Sequence, residues 1–173
     1  LVGKIYRNPP VKLIVGLIFN NNELFIKAKT MLKKRFGLID FESPVIDFNY
    51  TDYYRSEFGS GLRRAFISFE KLIPADKISD IKIFTNKLEK KLSCKGKRNI
   101  NIDPGYLDMA KLVLATTKDF AHRVYLGKGI YAEVTLAFQG NTFKHRDWTY
   151  PDYRTPAYIG IFNSIRKIYA NQK

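Results

Sequence analysis

Val11-Lys12-Leu13-Ile14-Val15-Gly16-Leu17-Ile18-Phe19 is a continuous apolar run bounded by Pro10 and Asn20. It is too short for a helix, and that combination predicts a buried central strand. Residues 1–10, with Asn8-Pro9-Pro10, read as an irregular lead-in. On the other side, Asn20 and Glu23 have capping-box spacing. Leu24, Phe25, Ala28, Met31, Leu32 and Phe36 then recur at helical spacing until Gly37. Two short β-like stretches follow around Pro44. Leu62 to Leu72 predicts a strand with mixed faces. Pro74 opens a second helix with a stripe of Ile78, Ile81, Phe84 or Thr85, Leu88 and Leu92, ended by the Lys95-Gly96-Lys97 turn. Asn99 to Asp103 reads as a short strand. Strand, helix, strand, strand, helix, strand is the order of a ferredoxin-like split βαβ arrangement.

Tyr106 to Leu114 is helix-compatible through Leu107, Ala110 and Leu114, although Val113 to Thr117 also reads as strand. Arg123 to Leu126 and Ile130 to Phe138 form a predicted hairpin across Gly127-Lys128-Gly129. A third strand is expected from Asn141. Thr155 as cap and Pro156 at the first helical position start a last helix, whose face is Tyr158, Ile161, Phe162, Ile165, Ile168 and Tyr169. The expectation is one α+β domain over 1–173: a ferredoxin-like sandwich with an added β-hairpin region and a C-terminal helix on the same sheet.

Composition narrows the function classes. Hydrophobic residues make up 45% of the 173 and aromatics 14%, enough for a packed core. No apolar run approaches the ~18 residues needed to span a bilayer, and no secretory signal pattern is visible. The sequence opens on Leu1, which leaves the native N-terminus open. The one cysteine, Cys94, excludes an internal disulfide and a cysteine-based zinc site. A reducing, cytoplasmic setting is the expectation. A net charge of +14 predicts salt-sensitive attraction to polyanions. Much of it lies on helices, however, at Lys27, Lys29, Lys33, Lys34 and Arg35 and at Lys82, Lys87, Lys90 and Lys91, where solvated faces are the commoner reading.

The common catalytic signatures are absent: there is no phosphate loop, no Gly-x-Gly-x-x-Gly after the first strand and no nucleophile elbow. Gly59-Ser60-Gly61 reads as a turn. Two histidines, His122 and His145, exclude a His-rich metal site, and no cofactor is indicated. A mixed site from Asp103, Asp119, His122 and Glu133 has no spacing rule to support it. The densest chemistry is Thr116-Thr117-Lys118-Asp119-Phe120-Ala121-His122-Arg123. Lys118 and Arg123 are suited to grip an anion and His122 or Asp119 to move a proton, while a solvated turn explains the same residues. Thr117-Lys118-Asp119 lacks one residue of a guanine-reading motif. In Ile130 to Leu136, alternation puts Ile130, Ala132, Val134 and Leu136 in the core and Tyr131, Glu133 and Thr135 on a polar face, which either lines a cleft or, the commoner case, faces water. Aromatics around Tyr50 to Tyr54 and Trp148 to Tyr153, with Arg55, Arg63, Arg64, Arg146 and Arg154 nearby, suit either base stacking or loops folded onto the domain.

Several blocks recur together as a pattern. Val11 to Ile18, Thr51-Asp52-Tyr53-Tyr54, Ser68-Phe69-Glu70 and Asp103-Pro104-Gly105-Tyr106 come first. Lys111 to Asp119, His122 to Leu126, Gly129 to Leu136 and Trp148 to Tyr153 follow. In these blocks the chain resembles the bacterial family catalogued as domain of unknown function 4416. The resemblance implies an uncharacterised bacterial protein, sometimes labelled GTP-binding, and brings no catalytic residues.

The leading expectation is a site for an anionic small molecule or nucleotide phosphate. Its binding residues would be Asp103, Lys111, Thr117, Lys118 and Arg123 with Glu70 and Asp52, and its proton-transfer candidates His122, Asp119 and Glu133. The rival classes are a basic RNA- or DNA-binding module and a domain that dimerises through an uncovered sheet edge.

Overall fold

The structure, a computed structural model, describes residues 2–50, 61–94 and 97–172. Among the described residues nine strands form one sheet: β1 (Lys12–Phe19), β2 (Ile39–Glu42), β3 (Ile46–Asp47), β4 (Arg63–Phe69), β5 (Ile100–Leu107), β6 (Lys111–Thr116), β7 (Val124–Gly127), β8 (Ile130–Gln139) and β9 (Thr142–His145). Three α-helices among the described residues accompany them: α1 (Asn22–Phe36), α2 (Ile78–Lys91) and α3 (Pro156–Ala170). The order is β2-β4-β1-β5-β6-β8-β7, with β3 on β4 and β9 on β8, and every pairing among the described residues is antiparallel.

β1 is buried along its whole length because both sheet faces are covered. Leu13, Val15, Leu17 and Phe19 face α1 and α2, together with Ile67 and Phe69 of β4. Ile14 faces α3, with Phe66, Leu112 and Leu136. This two-sided cover is why β1 reads as unbroken apolar sequence. It also corrects the mixed-face expectation for β4, whose residues after Arg63 are all buried.

Local chemistry sets the helix ends. The cap of α1 is Asn21, one residue later than the spacing suggested; its side chain accepts from the Glu23 and Leu24 N–H groups at 2.8 and 3.2 Å. Pro74 precedes a short 3-10 turn, Ala75–Lys77, which leads into α2. Thr155 caps α3, accepting from the Tyr158 N–H at 3.3 Å.

The helix-compatible stretch Tyr106 to Leu114 is a hairpin instead. β5 runs on through Pro104-Gly105 to Leu107, and β6 begins at Lys111. Asp108 forms the turn, its Oδ1 accepting from the Ala110 and Lys111 N–H groups at 2.7 and 2.8 Å. In β8 a bulge between the pairs Leu112↔Leu136 and Val113↔Val134 breaks the alternation. Val134 is therefore 37% exposed rather than core, while Glu133 and Thr135 are buried rather than facing water. The β7–β8 turn has positive φ at Gly127, Lys128 and Gly129, as its composition predicts.

Candidate functional site

The sheet forks at the end of β5. β1 pairs with β5 throughout Ile100–Leu107, but β6 pairs with it only over Gly105–Leu107. Past Leu114, β6 stays with β8 and leaves the rest of β5 without a ladder partner on that edge. Pro104 and Gly105 make this branch point. The Ile102 N–H points into the gap, where it donates to Glu89 Oε1 at 2.6 Å. Residue 104 faces the same way, two along the strand, and as a proline it has no N–H to leave unpaired. A Cβ on Gly105 would come within 2.5 Å of the Val113 carbonyl oxygen, so only glycine lets the strands approach here.

A cleft of about 570 Å³ occupies the fork, within the usual range for small-molecule sites. Arg64, Lys82, Arg98, Lys118 and Arg123 line it with Glu89, Asp103, Glu133 and Asp152. Phe48, Tyr50, Tyr150 and Tyr153 supply aromatic wall.

On the β5 side, α2 presents Lys82, Asn86 and Glu89 along one face. A closed polar ring results. Lys82 Nζ donates to Asp103 Oδ1 at 3.2 Å and to the Ile102 carbonyl at 3.5 Å. Asn101 Nδ2 donates to Asp103 Oδ2 at 2.5 Å, and Arg98 Nη1 to Asn101 Oδ1 at 3.4 Å. Arg98 Nη1 also lies 3.5 Å from Glu89 Oε2, which returns the ring to the Ile102 N–H. These side chains replace the rungs that β6 does not supply. Burial pushes the Glu89 carboxyl up to about 7, against the pull of Lys82. Burial acts the same way on Asp103, but Lys82 and Arg64 outweigh it and hold that carboxyl below its ordinary value.

Arg64 forms the floor. It is 2% exposed, and Gly16 makes the room: a Cβ there would lie 2.6 Å from an Arg64 guanidinium nitrogen. Arg64 Nη2 donates to the Tyr153 hydroxyl at 2.6 Å, and the centroid of the Phe66 ring lies 4.8 Å from the guanidinium carbon. Among the described residues its Nε has no hydrogen-bond partner. Burial works against its charge, yet Tyr153, Asp103 and Asp152 outweigh burial and raise its pKa.

The opposite wall is tied together around Glu133, which is 2% exposed. Glu133 Oε2 accepts from His122 Nε2 at 2.9 Å and from Arg123 Nε at 3.0 Å. Arg123 also donates to the Lys118 carbonyl and the Tyr150 hydroxyl, each at 2.9 Å. His122 stacks on Trp148 with ring centroids 5.3 Å apart, outside the cleft lining.

Among the residues expected from sequence, the fork thus gathers Asp103, Thr117, Lys118, Arg123 and Glu133, with His122 behind Glu133. Asp119 is exposed and away from the lining. Lys111 sits at the far end of β6, 2.9 Å from Asp108 Oδ2, and Glu70 is exposed beyond the end of β4. Asp52, Arg55, Gly59, Ser60, Lys95 and Gly96 lie outside the described residues.

Sequence reading missed Glu89, Arg98 and Asn101, weighed Arg64 only as an arginine beside stacking aromatics, and placed Lys82 on a solvated face although Lys82 is buried. A signal was present. Lys82 and Glu89 each follow a stripe residue, Ile81 and Leu88, which turns both toward the covered side of α2.

Among the described residues, no group of three or more His, Cys, Asp or Glu could hold a metal ion. No described helix is long and apolar enough to cross a membrane. Residues 9–169 match the family model described as Domain of unknown function (DUF4416), so the chain belongs to that family. No curated protein and no solved structure matches it.

Proposed function

We propose that this member of the DUF4416 family binds an anionic small molecule, bearing phosphate or carboxylate, in the forked cleft. Arg64 carries the reading: a buried guanidinium on the cleft floor whose Nε has no partner among the described residues. Leaving such a donor unsatisfied costs about 1–3 kcal/mol or more, which an oxyanion from solvent would offset. Lys82 and Lys118 add positive charge to the same lining, and the aromatic walls suit a flat or apolar part such as a nucleobase.

The test is a thermal-shift screen of phosphate, sulfate, nucleoside monophosphates and dicarboxylates. A ligand at 100 times its Kd should add about 2.7 kcal/mol of stability. Arg64→Met and Lys118→Ala should each reduce that shift. Folded variants that both keep the wild-type shift would place the site elsewhere.

The order β2-β4-β1-β5, with α1 and α2 on one face, supports reading residues 12–107 as the ferredoxin-like part of a single domain. The lone, exposed Cys94 supports a reducing, cytoplasmic setting. One observation favours a second role. α1 and α2 share a face and expose Lys27, Lys33, Lys34, Arg35, Lys87, Lys90 and Lys91, a surface suited to nucleic-acid phosphates. Nucleic-acid affinity that falls steeply with salt while no small anion shifts the melting point would favour it.

A further inference from the structure

The ring at the β5 edge contains two cations, Lys82 and Arg98, and two acids, Asp103 and Glu89. It is neutral when Glu89 is ionised and carries one positive charge when Glu89 holds a proton. Glu89 is 5% exposed, and its Oε1 is tied to the Ile102 N–H, so it cannot swing into solvent when an anion arrives. Lys118 also lines the cleft, beside Arg123 on the opposite wall, and the described cations of the lining already have partners. Lys82 and Arg98 already share Asp103 and Asn101; across the cleft, Arg123 is paired with Glu133 and Arg64 faces Tyr153 and Asp152. A second negative charge brought into this low-dielectric space is accommodated by protonating the acid already there.

Resting on the anion-site reading, we propose that the cleft takes up a proton together with its anion, and that Glu89 holds the proton. The proton comes from solvent and no covalent bond changes. Protonated at Oε2, the carboxyl donates to the anion that the carboxylate would repel. Glu89 is poised for this exchange, because burial already sets its pKa at about 7.

Sulfate is the probe, since it has no titratable proton near neutrality. Calorimetric titration of the full chain in two buffers with different heats of ionisation counts the protons taken up. If sulfate raises the Glu89 pKa by about one unit, uptake at about pH 7 is about 0.4 proton, and binding is about fivefold tighter at pH 6 than at pH 8. Glu89→Gln should bind sulfate without uptake and with equal affinity at both pH values. His122→Asn, outside the ring, should keep the wild-type uptake. The proposal is overturned if wild type binds sulfate with no uptake, if Glu89→Gln retains it, or if His122→Asn loses it. If sulfate binds at no pH, the anion reading itself fails and takes this proposal with it. Carbon-13 NMR of the Glu89 carboxyl checks the point in wild type without any variant: its signal should move toward the protonated form on adding sulfate, and an unmoved signal refutes the assignment.

Discussion

Replacing Glu89 with Gln should change how stability depends on pH, in a way that isolates one buried carboxyl. Burial lifts this group from 4.5 to about 7. The folded state therefore binds more protons than the unfolded state between those values, and stability from this group falls as pH rises through that window. The shift of about 2.5 units corresponds to about 3 kcal/mol. Gln keeps an oxygen for the Ile102 N–H but has no charge to desolvate, so its curve lacks this loss. The other carboxyls are common to both proteins and largely cancel in the difference. Urea unfolding of both proteins from about pH 4.5 to about pH 8 reads it directly. Relative to wild type, the variant should gain about 3 kcal/mol across the window and no more above about pH 7. Parallel curves would refute the reasoning, because they would mean that Glu89 ionises in the fold as readily as in water.

Gly105→Ala should cost about 1–3 kcal/mol by thermal or urea unfolding, because its Cβ meets the Val113 carbonyl oxygen at 2.5 Å; an unchanged midpoint would mean that the branch point is not tight. Lys12→Met should destabilise by up to about 3–5 kcal/mol, since fully buried Lys12 pairs with Asp40 and leaves it without its cation. Adding Asp40→Asn should recover part of that loss, and strict additivity of the two changes would argue against the coupling.

Much of the fold could be read because burial leaves marks at fixed periods. β1 has cover on both faces and reads as an unbroken apolar run, and α3 has one buried face and shows a helical stripe. Tyr106 to Leu114 misled because Leu107, Ala110 and Leu114 fit a helix equally well, and only the Asp108 turn decides for a hairpin. The β8 bulge could not be read, since it depends on which strand lies alongside. The site divided the same way. Lys118, Arg123 and Glu133 stood out as a local concentration of polar residues. Arg64, Glu89, Arg98 and Asn101 come from three separate segments, and their meeting depends on tertiary pairing that one-dimensional spacing does not encode.

The fork has a consequence for how such a site can be resized. Most binding clefts are lengthened or shortened through their loops, whereas this one ends where β5 and β6 part company at Gly105 and Leu114. Advancing or retreating that junction by one residue pair would shift this end of the cleft by about 3.4 Å, roughly the width of one oxyanion, without altering a loop. The capacity of the pocket is thus set like the stop of a zipper, by how many teeth of the sheet are left undone.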